Sequence, residues 1–104
     1  MTDTKEKEPV IRALRIIELL AANVIDGLST KALSEALDAL PSTITRDLDL
    51  LSRAGWVEQQ PTGWYTLTTR PLAVAHACAN AFEEKKNTVR AFFLRAQKEA
   101  AHVH

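Results

Sequence analysis

The chain has 104 residues, 46% hydrophobic and 25% charged, with four Pro and three Gly, which is the composition of one folded globular domain and excludes a disordered or fibrous chain. Thirteen Lys and Arg balance 13 Asp and Glu, so net charge does not advertise a polyanionic partner. A single Cys excludes an internal disulfide. No run approaches the roughly 18 consecutive apolar residues of a membrane span. The charged start Met-Thr-Asp-Thr-Lys-Glu-Lys-Glu lacks the apolar core of a signal peptide. With the lone thiol, these features predict a cytoplasmic protein. Charge is nevertheless uneven. Lys85, Lys86, Arg90, Arg95 and Lys98 face only Glu99 over residues 85–104, which makes the C-terminal end a basic segment.

Residues 1–8 are polar and predict a disordered arm. Pro9 suits a first helical position, where a missing N–H costs nothing. Over residues 10–23, Arg12, Arg15 and Glu18 recur every third position among Val10, Ile11, Leu14, Ile16, Ile17, Leu19 and Leu20. That pattern predicts a mostly buried helix with a narrow polar stripe. Gly27 falls in the following loop. Ser29 or Thr30 caps a short second helix, with Leu33, Ala36, Leu37 and Leu40 as its apolar face. Pro41 opens a third helix. There Ile44, Leu48 and Leu51 stand at i, i+4 and i+7 as one buried stripe, opposite Ser42, Thr45, Arg46, Asp49 and Arg53. Gly55 is a suitable left-handed residue after that helix. The period then changes. Residues 56–58 and 64–67 flank Pro61-Thr62-Gly63 and predict a β-hairpin. From residue 71 to about residue 101 the chain is Ala-rich and helical, with Asn87-Thr88 placed to cap a new segment.

The order helix, short helix, turn, helix, hairpin, helix predicts a winged helix-turn-helix: mainly α with a small β-hairpin and a long C-terminal helix. The expected division is a disordered arm over 1–8, a winged helix-turn-helix DNA-binding domain over 9–70 and a C-terminal helical dimerisation segment over 71–104. A third helix with small hydroxyls and an Arg near its start can enter a major groove about 12 Å wide. Backbone N–H groups at the helix starts can bind phosphate, and the hairpin would lie beside the groove.

The stretch GLSTKALSEALDALPSTITRDLDLLSRAGWVEQQPTGWYTL resembles the N-terminal DNA-binding domain of IclR-type transcriptional regulators. The preceding VIRALRIIELLAA is similar to that family's first helix, and the similarity covers roughly residues 9–72. The resemblance implies that residues 41–54 form the recognition helix, with Ser42, Thr43, Thr45 and Arg46 on DNA-facing positions. The sequence departs from the family in four ways. Asp38 replaces the usual Gly of the turn, a substitution that Asp tolerates better than most residues. The Pro is displaced by one position. Trp64 stands where the family often has a wing Arg. The effector-binding domain that normally follows has no counterpart in this sequence, so no small-molecule effector is expected.

The DNA-binding residues expected are therefore Ser42, Thr43, Thr45, Arg46 and Arg53. Arg46 has an alternative as a surface partner of Asp49 at i+3, while Asp49 can equally pair with Arg53 at i+4. Thr43 and Thr45 can also act as helix-start caps, and Arg53 is expected to reach phosphate. Asp47 and Asp49 count against DNA, because both add negative charge near the phosphates. Trp56 is expected to close the core and Trp64 to be partly exposed on the wing. His76 and Cys78, at i and i+2, do not share a helix face and predict no metal site. There is no Gly-rich phosphate loop, and every His lies in the C-terminal helix. No catalytic residue, cofactor or enzymatic activity is expected.

Leu72, Ala75, Ala79, Phe82, Val89, Phe93 and Ala96 approach a heptad stripe. A continuous helix of about 30 residues would run roughly 45 Å and outreach so small a core. Phe82, Val89, Phe92 and Phe93 are accordingly expected at a homodimer interface. The sequence reads as a sequence-specific, duplex-DNA-binding transcriptional regulator of a size suited to a phage or mobile element. Two alternatives stay open: a winged-helix module that binds protein and not DNA, and a piece of a longer regulator.

Overall fold

A computed structural model describes residues 7–83 and 85–103. The expected arm lies outside the described residues except for Lys7 and Glu8. The elements are α1 (Pro9–Ala21), α2 (Thr30–Leu37), α3 (Pro41–Arg53), β1 (Val57–Gln59), β2 (Tyr65–Leu67), α4 (Arg70–Glu83) and α5 (Lys86–Ala100).

Local chemistry accounts for most boundaries. Pro9 and Pro41 occupy the first turns of α1 and α3. Ser29 caps α2 by accepting the Ala32 N–H at 3.0 Å. Asp38 ends α2 in the left-handed region, with φ 50 and ψ 47. The Ala39 N–H returns to the Ser34 carbonyl at 3.0 Å, and α3 begins two residues later. Gly55, at φ 87, ends α3 and turns the chain into β1. β1 and β2 pair antiparallel, with Val57 opposite Leu67 and Gln59 opposite Tyr65.

The core is the convergence of three helices and the hairpin. Ile16 and Leu20 of α1, Leu33 and Leu37 of α2, Ile44, Leu48 and Leu51 of α3, and Val57 of β1 are buried together. Trp56, Tyr65 and Leu67 pack against them. The hairpin is also tied to the α1–α2 loop. Leu28 and Tyr65 exchange both backbone hydrogen bonds, at 3.0 and 2.9 Å. Gly27 makes that approach possible: a Cβ there would stand 2.1 Å from the Tyr65 carbonyl oxygen.

Three expectations are corrected. First, α1 is not mostly buried. Val10, Ile11 and Leu14 are 72%, 43% and 57% exposed, because α2, α3 and the hairpin cover one face only. Arg12, assigned to the polar stripe, is instead among the buried residues of α1. Second, Leu40 lies beyond α2 and is 69% exposed. Third, the break in the C-terminal helix, expected at Asn87-Thr88, falls slightly earlier, between Glu83 and Lys86. Lys85, at φ −128 and ψ 59, stands before the start of α5, two residues ahead of the expected cap at Asn87. The fold-back sets the Phe82 ring 4.7 Å from Phe92 and 6.1 Å from Phe93. A straight helix would hold those rings about 15 Å apart along its axis. Aromatic contact therefore favours the break.

Candidate nucleic-acid interface

α3 has two chemically distinct sides. Its stripe of Ile44, Leu48 and Leu51 is sunk in the core, which turns the opposite side to solvent. Ser42, Thr45, Arg46 and Arg53 are all exposed there. Thr43 is half-buried and lines an open groove with Arg46, Pro41 and, from the start of α1, Lys7 and Pro9. Four of the five expected residues thus share one solvent face, and the fifth sits at its edge.

The choice of partner for Asp49 falls to Arg53, at 3.4 Å. Both side chains are about two-thirds exposed (70% and 66%), so the pair is weak and can yield to another anion. Among the described residues no carboxylate is paired with Arg46. No side chain caps the start of α3, where the helix dipole and unpaired N–H groups favour an anion.

Asp47 requires a correction. It does not add charge to the exposed face; it is 5% exposed and turned into the protein. Arg12 of α1 donates to both its carboxylate oxygens, from Nε to Oδ2 and from Nη2 to Oδ1, the latter at 3.0 Å. Arg12 Nη1 also donates to the Lys7 carbonyl at 3.3 Å. The charge of Asp47 is thus answered inside the domain. The sequence did carry a signal: position 47 is three residues after Ile44 and four before Leu51, on the side of the buried stripe.

The wing is short and carries no cation. Glu58 is the one charged residue between Val57 and Leu67. Its turn is held by Gln60 N–H to the Trp64 carbonyl and Gly63 N–H to the Gln60 carbonyl, each 2.8 Å. Trp64 is 44% exposed near its tip.

The residues expected at a dimer interface divide. Val89 is 6% exposed and already buried within the chain, a correction to its expected place on a cluster that a monomer exposes. Phe82 is half-buried, and Phe92, Phe93 and Leu94 keep 52%, 43% and 55% of their surface. No residue of α4 is buried. Among the described residues no group of His, Cys, Asp and Glu is arranged to hold a metal ion. None of the described helices is long and apolar enough to cross a membrane.

Two helices joined by a tight turn, the second laid across a three-helix core and flanked by a β-hairpin, define a winged helix-turn-helix. Residues 9–61 match the family model of the IclR helix-turn-helix domain, and the chain belongs to that family of DNA-binding transcription regulators. The match ends within the wing, before β2, α4 and α5. Comparison with curated proteins and with solved structures found no match.

Proposed function

We propose that this chain is a sequence-specific duplex-DNA-binding regulator that acts as a homodimer and catalyses no reaction. The observation that carries the reading is the solvent face of α3. There Arg46 is exposed with no paired carboxylate among the described residues, and small hydroxyls at Ser42 and Thr45 permit close approach to base edges. In this reading Arg46 contacts a base, and Arg53 exchanges Asp49 for a phosphate. Thr43 and the start of α3 hold the backbone at the groove edge.

Apolar surface supports the dimer. Val10, Ile11 and Leu14 on α1, Leu72 and Val74 on α4, and Phe92, Phe93 and Leu94 on α5 are each 43% to 73% exposed. Leu72 of α4 and Phe93 of α5 line one open apolar groove. In this reading residues 9–70 bind DNA, and residues 71–104, with help from α1, join two copies. The two α3 helices would then meet half-sites one DNA turn apart or a multiple of it.

One observation favours a second reading. The cation-free wing and balanced net charge suit a winged-helix module that binds protein. Titration of a random-sequence duplex at several salt concentrations separates the two. DNA binding that weakens steeply with salt supports the first reading, and no binding at low salt supports the second.

A further inference from the structure

The Arg12–Asp47 pair makes no contact in the readout proposed above, yet it joins α1 to the helix that performs it. Both side chains are nearly buried, 7% and 6% exposed, whereas the pairs Asp49–Arg53 and Glu83–Lys86 lie in solvent. The contact is a two-pronged fork, with Nε and Nη2 each on its own carboxylate oxygen. Through Nη1 the same guanidinium also holds the carbonyl of Lys7, just before α1.

Such a pair adds little net stability, because taking two charges out of water offsets most of their attraction. What it adds is direction. The apolar stripe Ile44, Leu48 and Leu51 holds α3 on the core, but apolar contact is non-directional and tolerates a small roll or slide. A planar fork tolerates neither. Successive helical residues are about 100° apart, so an inward Asp47 places Arg46 about 100° away and Ser42 and Arg53 about 120–140° away, on the solvent side.

We infer that Arg12 and Asp47 are positioning residues for base recognition: they fix the roll of α3 so that Arg46 meets a single base step. Neither residue touches DNA. The inference rests on the DNA-binding reading and adds the device that makes the readout specific.

The test uses the full chain as wild type, as the double variant Arg12→Met with Asp47→Leu, and as the single variant Arg12→Lys. A preferred duplex is selected from a randomised library with the wild type. Anisotropy titrations against that duplex and a scrambled one of equal length then give the discrimination ratio. Thermal melting reports folding. The double variant should melt at or above the wild type, since well-packed apolar residues replace buried ion pairs without loss. It should bind scrambled duplex with the wild-type salt dependence, yet lose about tenfold or more of the discrimination. Arg12→Lys, which keeps the charge and loses the fork, should lose part of it. A folded double variant that discriminates as the wild type does overturns the inference. If the double variant does not fold, Arg12→Lys decides: undiminished discrimination overturns the inference, and reduced discrimination on a folded protein supports it. A wild type that binds neither duplex refutes the DNA reading itself, and the inference with it. Retained discrimination in the variants refutes the positioning role alone.

Discussion

Gly27→Ala is the substitution for which the structure supplies a magnitude most directly. The added methyl carbon would stand 2.1 Å from the Tyr65 carbonyl oxygen and 2.8 Å from Thr66 Cγ2, far inside van der Waals contact. The backbone atoms cannot yield without parting the loop from the hairpin. The two Leu28–Tyr65 hydrogen bonds would go with that movement, at about 1 kcal/mol each. Holding Ala at φ 78 adds about 1 kcal/mol. A loss of about 3 kcal/mol follows, which for a domain of this size lowers Tm by roughly 12–24 °C. Gly63→Ala is the internal control. It shares the left-handed backbone, at φ 91, but its added carbon meets nothing within 4 Å. It should cost about 1 kcal/mol, the backbone contribution alone. Urea denaturation of both variants, followed by far-UV circular dichroism, gives the two free energies. Equal losses at the two positions would refute the reasoning, because only Gly27 faces a neighbouring backbone.

Arg46→Ala should weaken binding to the preferred duplex by roughly 1–3 kcal/mol and relax its sequence preference. An equal loss on every duplex, measured by anisotropy, would make Arg46 a phosphate contact instead. Asp49→Asn removes a negative charge from the exposed face and releases Arg53, so non-specific affinity should rise while stability changes by less than about 0.5 kcal/mol. Unchanged or weaker duplex binding by that variant would show that Arg53 does not reach the backbone. Truncation after Phe82 and the double change Phe92→Ser with Phe93→Ser should each give monomers with much weaker DNA binding. Sedimentation that finds the intact chain monomeric at micromolar concentration, or the truncated chain undiminished as a dimer, would contradict the assembly.

Sequence logic reached the elements whose causes are local. Pro9 and Pro41 mark helix starts by their missing N–H, and Ser29 marks one by its hydroxyl. Asp38, Gly55 and Gly63 take left-handed angles where a turn needs them. The stripe of Ile44, Leu48 and Leu51 oriented α3, and with it the exposed side that carries Arg46. What was not readable depends on partners distant along the chain. Arg12 and Asp47 are 35 residues apart, and only packing of α1 on α3 shows that each answers the other. Gly27 looked like an ordinary loop glycine until Tyr65 was set against it. The apolar residues of α1 cover more than one side of the helix, so periodicity alone did not say that Val10 and Leu14 would stay exposed. The break before α5 was legible from the capping residue Asn87, but with no Pro or Gly to fix its place it falls two residues earlier, where contact of Phe82 with Phe92 and Phe93 favours it.

Salt dependence of duplex binding by this chain tests the assignment of the α3 face to DNA most directly. With Arg53 of each α3 of a dimer on phosphate, log Kd against log salt should change with a slope of about 2 in magnitude. The measurement is an anisotropy titration of a random-sequence duplex between low and physiological ionic strength. Affinity that falls with that slope is the predicted result. Affinity that does not change with salt, or no binding at the lowest salt, would contradict the assignment of the α3 face to DNA.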